Sequence, residues 1–158
     1  MKNGKAVKLH FPFSIFKFPF YKGGLDSLDF GGLSDTLESK ELAGYFRQFF
    51  EIYGGKPKSI TALKELYELA YRQWDTYEPL EEEISHKVSD YLVSAIQFNS
   101  YDIMDTILSI VENLSLKNTF EYIVDRKDDI HNPSVRLLVD EAEKDYSDTI
   151  GNPFECIE

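Results

Sequence analysis

The chain has 158 residues, 42% of them hydrophobic, and a formal charge of −11. That is enough apolar chain for one packed domain, which excludes a disordered polymer, while so much negative charge argues against direct binding to nucleic acid or anionic lipid. A lone cysteine, Cys156, excludes an internal disulfide, and no apolar run approaches the roughly 20 residues that a membrane-spanning helix needs.

The charge is unevenly placed. Residues 1–33 hold five lysines against Asp26 and Asp29, a balance of +3, whereas residues 34–158 hold 12 basic and 26 acidic residues, a balance of −14. The expected organisation follows this division: an extended aromatic N-terminal arm over 1–33 packed on a helical domain over 34–158. Pro12 and Pro19 interrupt the arm and no small-residue cleavage site follows, so a signal peptide is not expected and the expected location is the cytoplasm.

Within the arm, phenylalanines at 11, 13, 16, 18 and 20 alternate in two short runs. Alternation favours extended backbone, and the prolines restrict it to an edge strand or a covering arm. Five phenylalanines are more apolar surface than a soluble chain leaves wet, which favours burial over an exposed basic-aromatic binding segment. Gly23–Gly24 and Gly31–Gly32 punctuate the loop that follows, with neither Gly-Lys-Ser/Thr nor G-x-G-x-x-G to mark a phosphate site.

Asp35 with Glu38 three residues later predicts a capped helix over about Thr36–Tyr53, burying Leu42, Tyr45, Phe46, Phe49, Phe50 and Tyr53. Gly54–Gly55 and Pro57 end it. Ser59 caps a second helix running to about Tyr77, with Ile60, Leu63, Tyr67, Ala70 and Trp74 on one face. Pro79 and Glu81–Glu83 suit the first turn of a third helix, whose stripe of Ile84, Val88, Tyr91, Leu92, Ala95 and Ile96 reaches toward Asn99. Ser100 caps a fourth, with Ile103, Met104, Ile107, Leu108, Val111 and Leu114 apolar. The connection between the third and fourth is short enough to make them antiparallel neighbours and the expected centre of the fold. Ser115 restarts or continues the pattern as a fifth helix through Val124. Asp125–Asp129 reads as a polar loop, and Asn132–Pro133 opens a sixth helix with Val135, Leu138, Val139, Ala142 and Tyr146 inward, ended by Gly151 and Asn152–Pro153. The predicted class is mainly α: an antiparallel helical bundle or a short HEAT-like stack of helical hairpins.

No catalytic signature stands out. Asp125, Asp128, Asp129 and His131 are the best metal-like cluster, but no EF-hand glycine or closing glutamate accompanies them, and a solvated loop is the better reading. His10, His86 and His131 are scattered, Cys156 lies three residues from the end of the sequence, and no G-x-S-x-G occurs. The expectation is a non-enzyme with no cofactor and no metal. Acidic residues beside aromatics mark a protein-contact surface, since aromatic anchors supply affinity and charge supplies rate. Two regions fit. One is the corner Trp74, Asp75, Tyr77, Glu78, Glu81, Glu82; the other is the last helix and its approaches, with Asp125, Asp128, Asp129, Asp140 and Glu141. Tyr101, Asp102 and Asp105 lie between them in sequence.

The run Glu41-Leu42-Ala43-Gly44-Tyr45-Phe46-Arg47-Gln48-Phe49-Phe50, followed by Tyr53-Gly54 and a new helix start, resembles the opening of helical immunity proteins from bacterial contact-dependent growth inhibition systems. The likeness extends to about Leu66, and Phe49-Phe50 stands where that family carries Asp-Trp. The resemblance implies a small cytoplasmic protein that neutralises a basic toxin domain, often a nuclease, in a 1:1 complex that caps its active-site cleft. No contact residue carries over from the matched run, whose aromatics belong to the core. The alternative is a non-enzymatic adaptor working through its basic-aromatic arm.

Overall fold

The computed structural model describes residues 29–146 and 149–150. Residues 1–28 of the arm expected over 1–33 and the terminators Gly151–Pro153 lie outside the described residues. Six α-helices fill the rest: α1 (Ser39–Tyr53), α2 (Ile60–Asp75), α3 (Glu82–Ala95), α4 (Tyr101–Leu114), α5 (Lys117–Val124) and α6 (Pro133–Tyr146). Short 3-10 turns occur at Phe30–Gly32 and Lys127–Asp129, and no strand occurs among the described residues.

At α1, α2 and α6 side chains satisfy the first free N–H groups, whereas the expected cap Ser100 makes no side-chain bond to the start of α4. The Ser59 side chain accepts from the Ala62 N–H at 3.2 Å, and Asn132 Oδ1 accepts from Ser134 N–H at 3.0 Å. The first helix departs from the expected start. Its capping box is Glu38 with Glu41 rather than Asp35 with Glu38, so it begins at Ser39 rather than Thr36. Asp35 lies instead 3.5 Å from the Arg72 guanidinium. The third helix stops at Ala95, because Ile96 turns to extended backbone, and α2 stops at Asp75 rather than Tyr77. Ser115 separates α4 from α5 by adopting the left-handed region, φ 53°, so the two are distinct helices.

The helices pack as three successive hairpins in two layers. Within hairpins, α1 meets α2, α3 meets α4 and α5 meets α6; between hairpins, α2–α4–α6 form one layer and α1–α3–α5 the other. This is the hairpin stack, the second of the two anticipated arrangements. Its centre differs from the expected α3–α4 pair. The most extensive packing is α4 against α2, and α4 also meets α3, α5 and α6. Surrounded on these sides, α4 buries every residue from Met104 to Val111. Thr106 and Ser109 tolerate this by donating their hydroxyls to the backbone oxygens of Asp102 and Asp105, one turn earlier.

A single apolar core runs between the layers, with Leu42, Phe46, Leu66, Leu69, Val88, Leu92, Ile107, Ile110, Ile123 and Val139 fully enclosed. Phe49 binds the outer layer together through ring contacts to Tyr53 at 5.0 Å and to Tyr91 of α3 at 5.2 Å. The segment before α1 is fixed to α2 by two polar ties. The Phe30 N–H donates to Glu65 Oε2 at 2.8 Å. Arg72, only 4% exposed, donates to the carbonyls of Gly31, Leu33 and Ser34 and to Glu68. Among the described residues no helix is long and apolar enough to cross a membrane.

Candidate partner-binding surface

The hairpin stack sorts the acidic residues into three environments. The first is the corner between α2 and α3. Gln73, itself buried, reaches across the turn from α2 and donates to the Glu78 carbonyl at 2.9 Å, to Ser39 Oγ at 3.1 Å and to Thr76 Oγ1 at 3.3 Å. Those bonds hold Tyr77 at φ 57°, a conformation that costs a non-glycine residue on the order of 1 kcal/mol, with its ring 44% exposed. Trp74 is buried, whereas Asp75, Glu78, Glu81 and Glu82 are exposed. Glu81 pairs with Arg47 of α1 at 2.6 Å. The corner therefore presents one aromatic ring and several carboxylates, with Trp74 supporting it from beneath rather than contacting solvent.

The second environment is the junction of the Lys127–Asp129 turn with α6. Lys127 bridges Asp140, at 3.2 Å, and Glu143, while Arg136 lies 3.4 Å from Asp140 and 3.6 Å from Asp128. The hydrogen bonds that Lys127 donates to the carboxylates of Glu143 and Asp140 hold its ammonium above its usual pKa. At Asp140 partial burial works to raise the pKa, but Lys127 and Arg136 outweigh it and the carboxyl ends below its ordinary value. Two of the acidic candidates here, Asp128 and Asp140, thus have cations of their own chain beside them. Asp125 and Asp129 are exposed, and no group of three or more metal-ligating side chains converges among the described residues. The turn is tied to α6 by Lys127 and by Arg136, which donates to the Lys127 carbonyl at 2.8 Å, while of the D-x-x-D-D-x-H run Asp128 lies fully exposed beside Arg136.

The third environment is the face of the α2–α4–α6 layer, where residues distant in sequence act on one another. Burial raises the Tyr101 hydroxyl's pKa first, and the carboxylates of Asp105, Glu141 and Asp102 raise it further. Tyr67 of α2 is pushed up to about 12, by burial and then by Glu68, Tyr71, Glu112 and Asp105. Burial likewise raises Tyr146 of α6, which is hydrogen-bonded to Glu112 of α4. The Tyr67 and Tyr71 rings lie 6.3 Å apart, one helical turn from each other. Asp105 sits inside this set, with its pKa raised to about 6 by burial and then by Asp102. Glu141 Oε2 is buried without a hydrogen-bond partner among the described residues. Leu137, one turn before Glu141, is an exposed apolar residue.

Of the sequence candidates, Tyr101, Asp102 and Asp105 share the start of α4, and Glu141 of α6 acts on the Tyr101 phenol. The fold keeps them in a different environment from the α2–α3 corner and from the turn before α6. Sequence reasoning missed Tyr67, Tyr71, Glu112 and Tyr146, because helical periodicity alone assigns Tyr67 and Tyr146 to the core. A signal was present: Asp102, Asp105, Ser109 and Glu112 recur at helical spacing, a polar stripe along α4 that includes the buried Asp105. No family model matches the chain, and no curated protein or solved structure matches it either.

Proposed function

We propose that this chain is a protein-binding inhibitor, an immunity protein of a bacterial contact-dependent growth inhibition system. In this reading it acts in the cytoplasm as a 1:1 partner of a basic toxin domain, a nuclease, and has no catalytic activity of its own. Its acidic side chains occupy the groove in which the toxin would hold substrate phosphates.

The observation that supports this most is the surplus of negative charge, −14 over residues 34–158, most of it on residues of the helical hairpin stack. A field of that sign steers a basic partner toward the molecule and repels nucleic acid. The stack adds half-buried tyrosines beside carboxylates on α2, α4 and α6 and an exposed Tyr77 at the α2–α3 corner, the kind of rigid aromatic anchor that concentrates binding energy.

The test is to mix the full chain with the toxic C-terminal domain encoded beside it. A tight 1:1 complex should form, with an association rate that falls roughly tenfold or more between low and high salt. A rate independent of salt, or no complex, overturns the reading. Deleting residues 1–22 should leave the affinity unchanged, whereas loss of binding would transfer the work to the arm and favour an adaptor.

A further inference from the structure

A helix often closes on a left-handed residue, and glycine usually takes that place because it adopts the conformation without strain. Among the described residues two non-glycines adopt it. Ser115 is small and separates α4 from α5. Tyr77 is large, and its φ of 57° directly follows Thr76, the last cap of α2. Burial accounts for this choice only in part. Tyr77 is 44% exposed, one of two exposed large hydrophobic residues among those described. The backbone that carries it is firmly held. Besides the three bonds from the buried Gln73 amide, Thr76 donates its hydroxyl to the Gln73 carbonyl at 2.7 Å and accepts the Glu78 N–H at 3.2 Å. The Tyr77 N–H donates to the Trp74 carbonyl at 3.1 Å. Gln73 Oε1 lies buried without a hydrogen-bond partner among the described residues, a second cost at the same turn. Strain held in place at an exposed ring is the pattern of a ring displayed for a partner.

We infer that Tyr77 is the anchor of the partner interface, its ring entering an apolar slot on a basic protein. The strained turn is the stability lost to hold the ring outward, and its fixed backbone lowers the entropy lost on binding. The charge of the partner follows from the carboxylates of the corner. Glu81 and Glu83 are matched within the chain, by Arg47 at 2.6 Å and Lys87 at 2.8 Å. Glu78 and Glu82 are exposed and meet no cation among the described residues. A slot edged by lysine or arginine complements those two, whereas an acidic edge is repelled. That the basic protein is the toxin domain rests on the proposed function.

The test compares the wild-type chain with Tyr77→Gly and Tyr77→Phe, in thermal unfolding and in binding to the toxic C-terminal domain. Glycine removes the ring and the strain together. Tyr77→Gly should therefore melt roughly 2–4 °C above wild type. Its dissociation constant should rise roughly tenfold or more. Tyr77→Phe keeps the ring and should bind within about threefold of wild type. Glu78→Gln with Glu82→Gln should reduce the salt dependence of the association rate, and an unchanged dependence overturns the basic slot. A Tyr77→Gly chain that binds as wild type does overturns the anchor and leaves the immunity reading in place. One that melts below wild type assigns the ring to the fold and also overturns the anchor. A wild-type chain that forms no complex overturns the immunity reading, and the anchor with it.

Discussion

Arg72 and Asp105 are charged residues on α2 and α4, the two helices that pack most extensively, and both are more than nine-tenths buried. Their surroundings are opposite. Arg72 spends its guanidinium on the carbonyls of Gly31, Leu33, Ser34 and Glu68 and on the Glu68 carboxylate at 2.8 Å. Asp105 is met by no donor among the described residues, only by a neighbouring acid and two tyrosines that it makes harder to ionise. A charge that serves the fold is surrounded by partners from the fold. A charge left unmatched within the packing weakens the fold, and such a feature is expected where an outside group completes it.

The largest effect should come from removing the matched charge. Arg72→Ala strips five hydrogen bonds from the clamp and leaves Glu68 half-buried without its cation, so a loss of roughly 3–5 kcal/mol is expected in urea unfolding. A loss below about 1 kcal/mol would mean that the clamp is incidental and would erase the contrast.

Asp105 should respond in the opposite direction. Its carboxyl titrates near 6 in the folded chain rather than at the ordinary 3.8, so the native state holds that proton more tightly than the unfolded state does. At low pH both states are protonated and there is no difference. As pH rises from about 4 to about 6 the unfolded state loses its proton first, and stability falls by up to roughly 3 kcal/mol before levelling off. Asp105→Asn should flatten the stability profile across that window and make the protein roughly 1–3 kcal/mol more stable than wild type at pH 8. An unchanged profile would show that Asp105 is already compensated.

Two milder substitutions sharpen the matched side. Glu68→Gln removes the shielded carboxylate 2.8 Å from Arg72 and should cost about 1–2 kcal/mol. Asp35→Asn removes a carboxylate 3.5 Å from the same guanidinium but 80% exposed, so less than about 0.5 kcal/mol is expected. Equal costs in thermal unfolding would mean that burial does not set the strength of these pairs.

In the immunity reading, long-range steering draws on the whole acidic surface. Neutralising exposed acids such as Glu82 or Asp75 should therefore slow association with the partner.

Helix identity was legible in the chain because it depends on neighbours in sequence. The stripe from Ile84 to Ala95, the caps at Ser59 and Asn132–Pro133 and the break at Ser115 each require only a few consecutive residues. The first cap was misplaced because Asp35 and Glu38 have the same spacing as Glu38 and Glu41, and spacing cannot tell which acid a distant arginine will claim. Layering was not legible. Stripes at helical spacing show that α3 and α4 each bury a face, but not that α4 lies chiefly against α2, a choice made by side-chain packing among all six helices. The same limit applies to the charges. Composition determined an acidic, aromatic-rich protein, because counting needs no geometry. Only the folded stack decided that Asp128 and Asp140 sit beside Lys127 and Arg136 while Asp105 and Glu141 do not, because matching a charge depends on which helices meet.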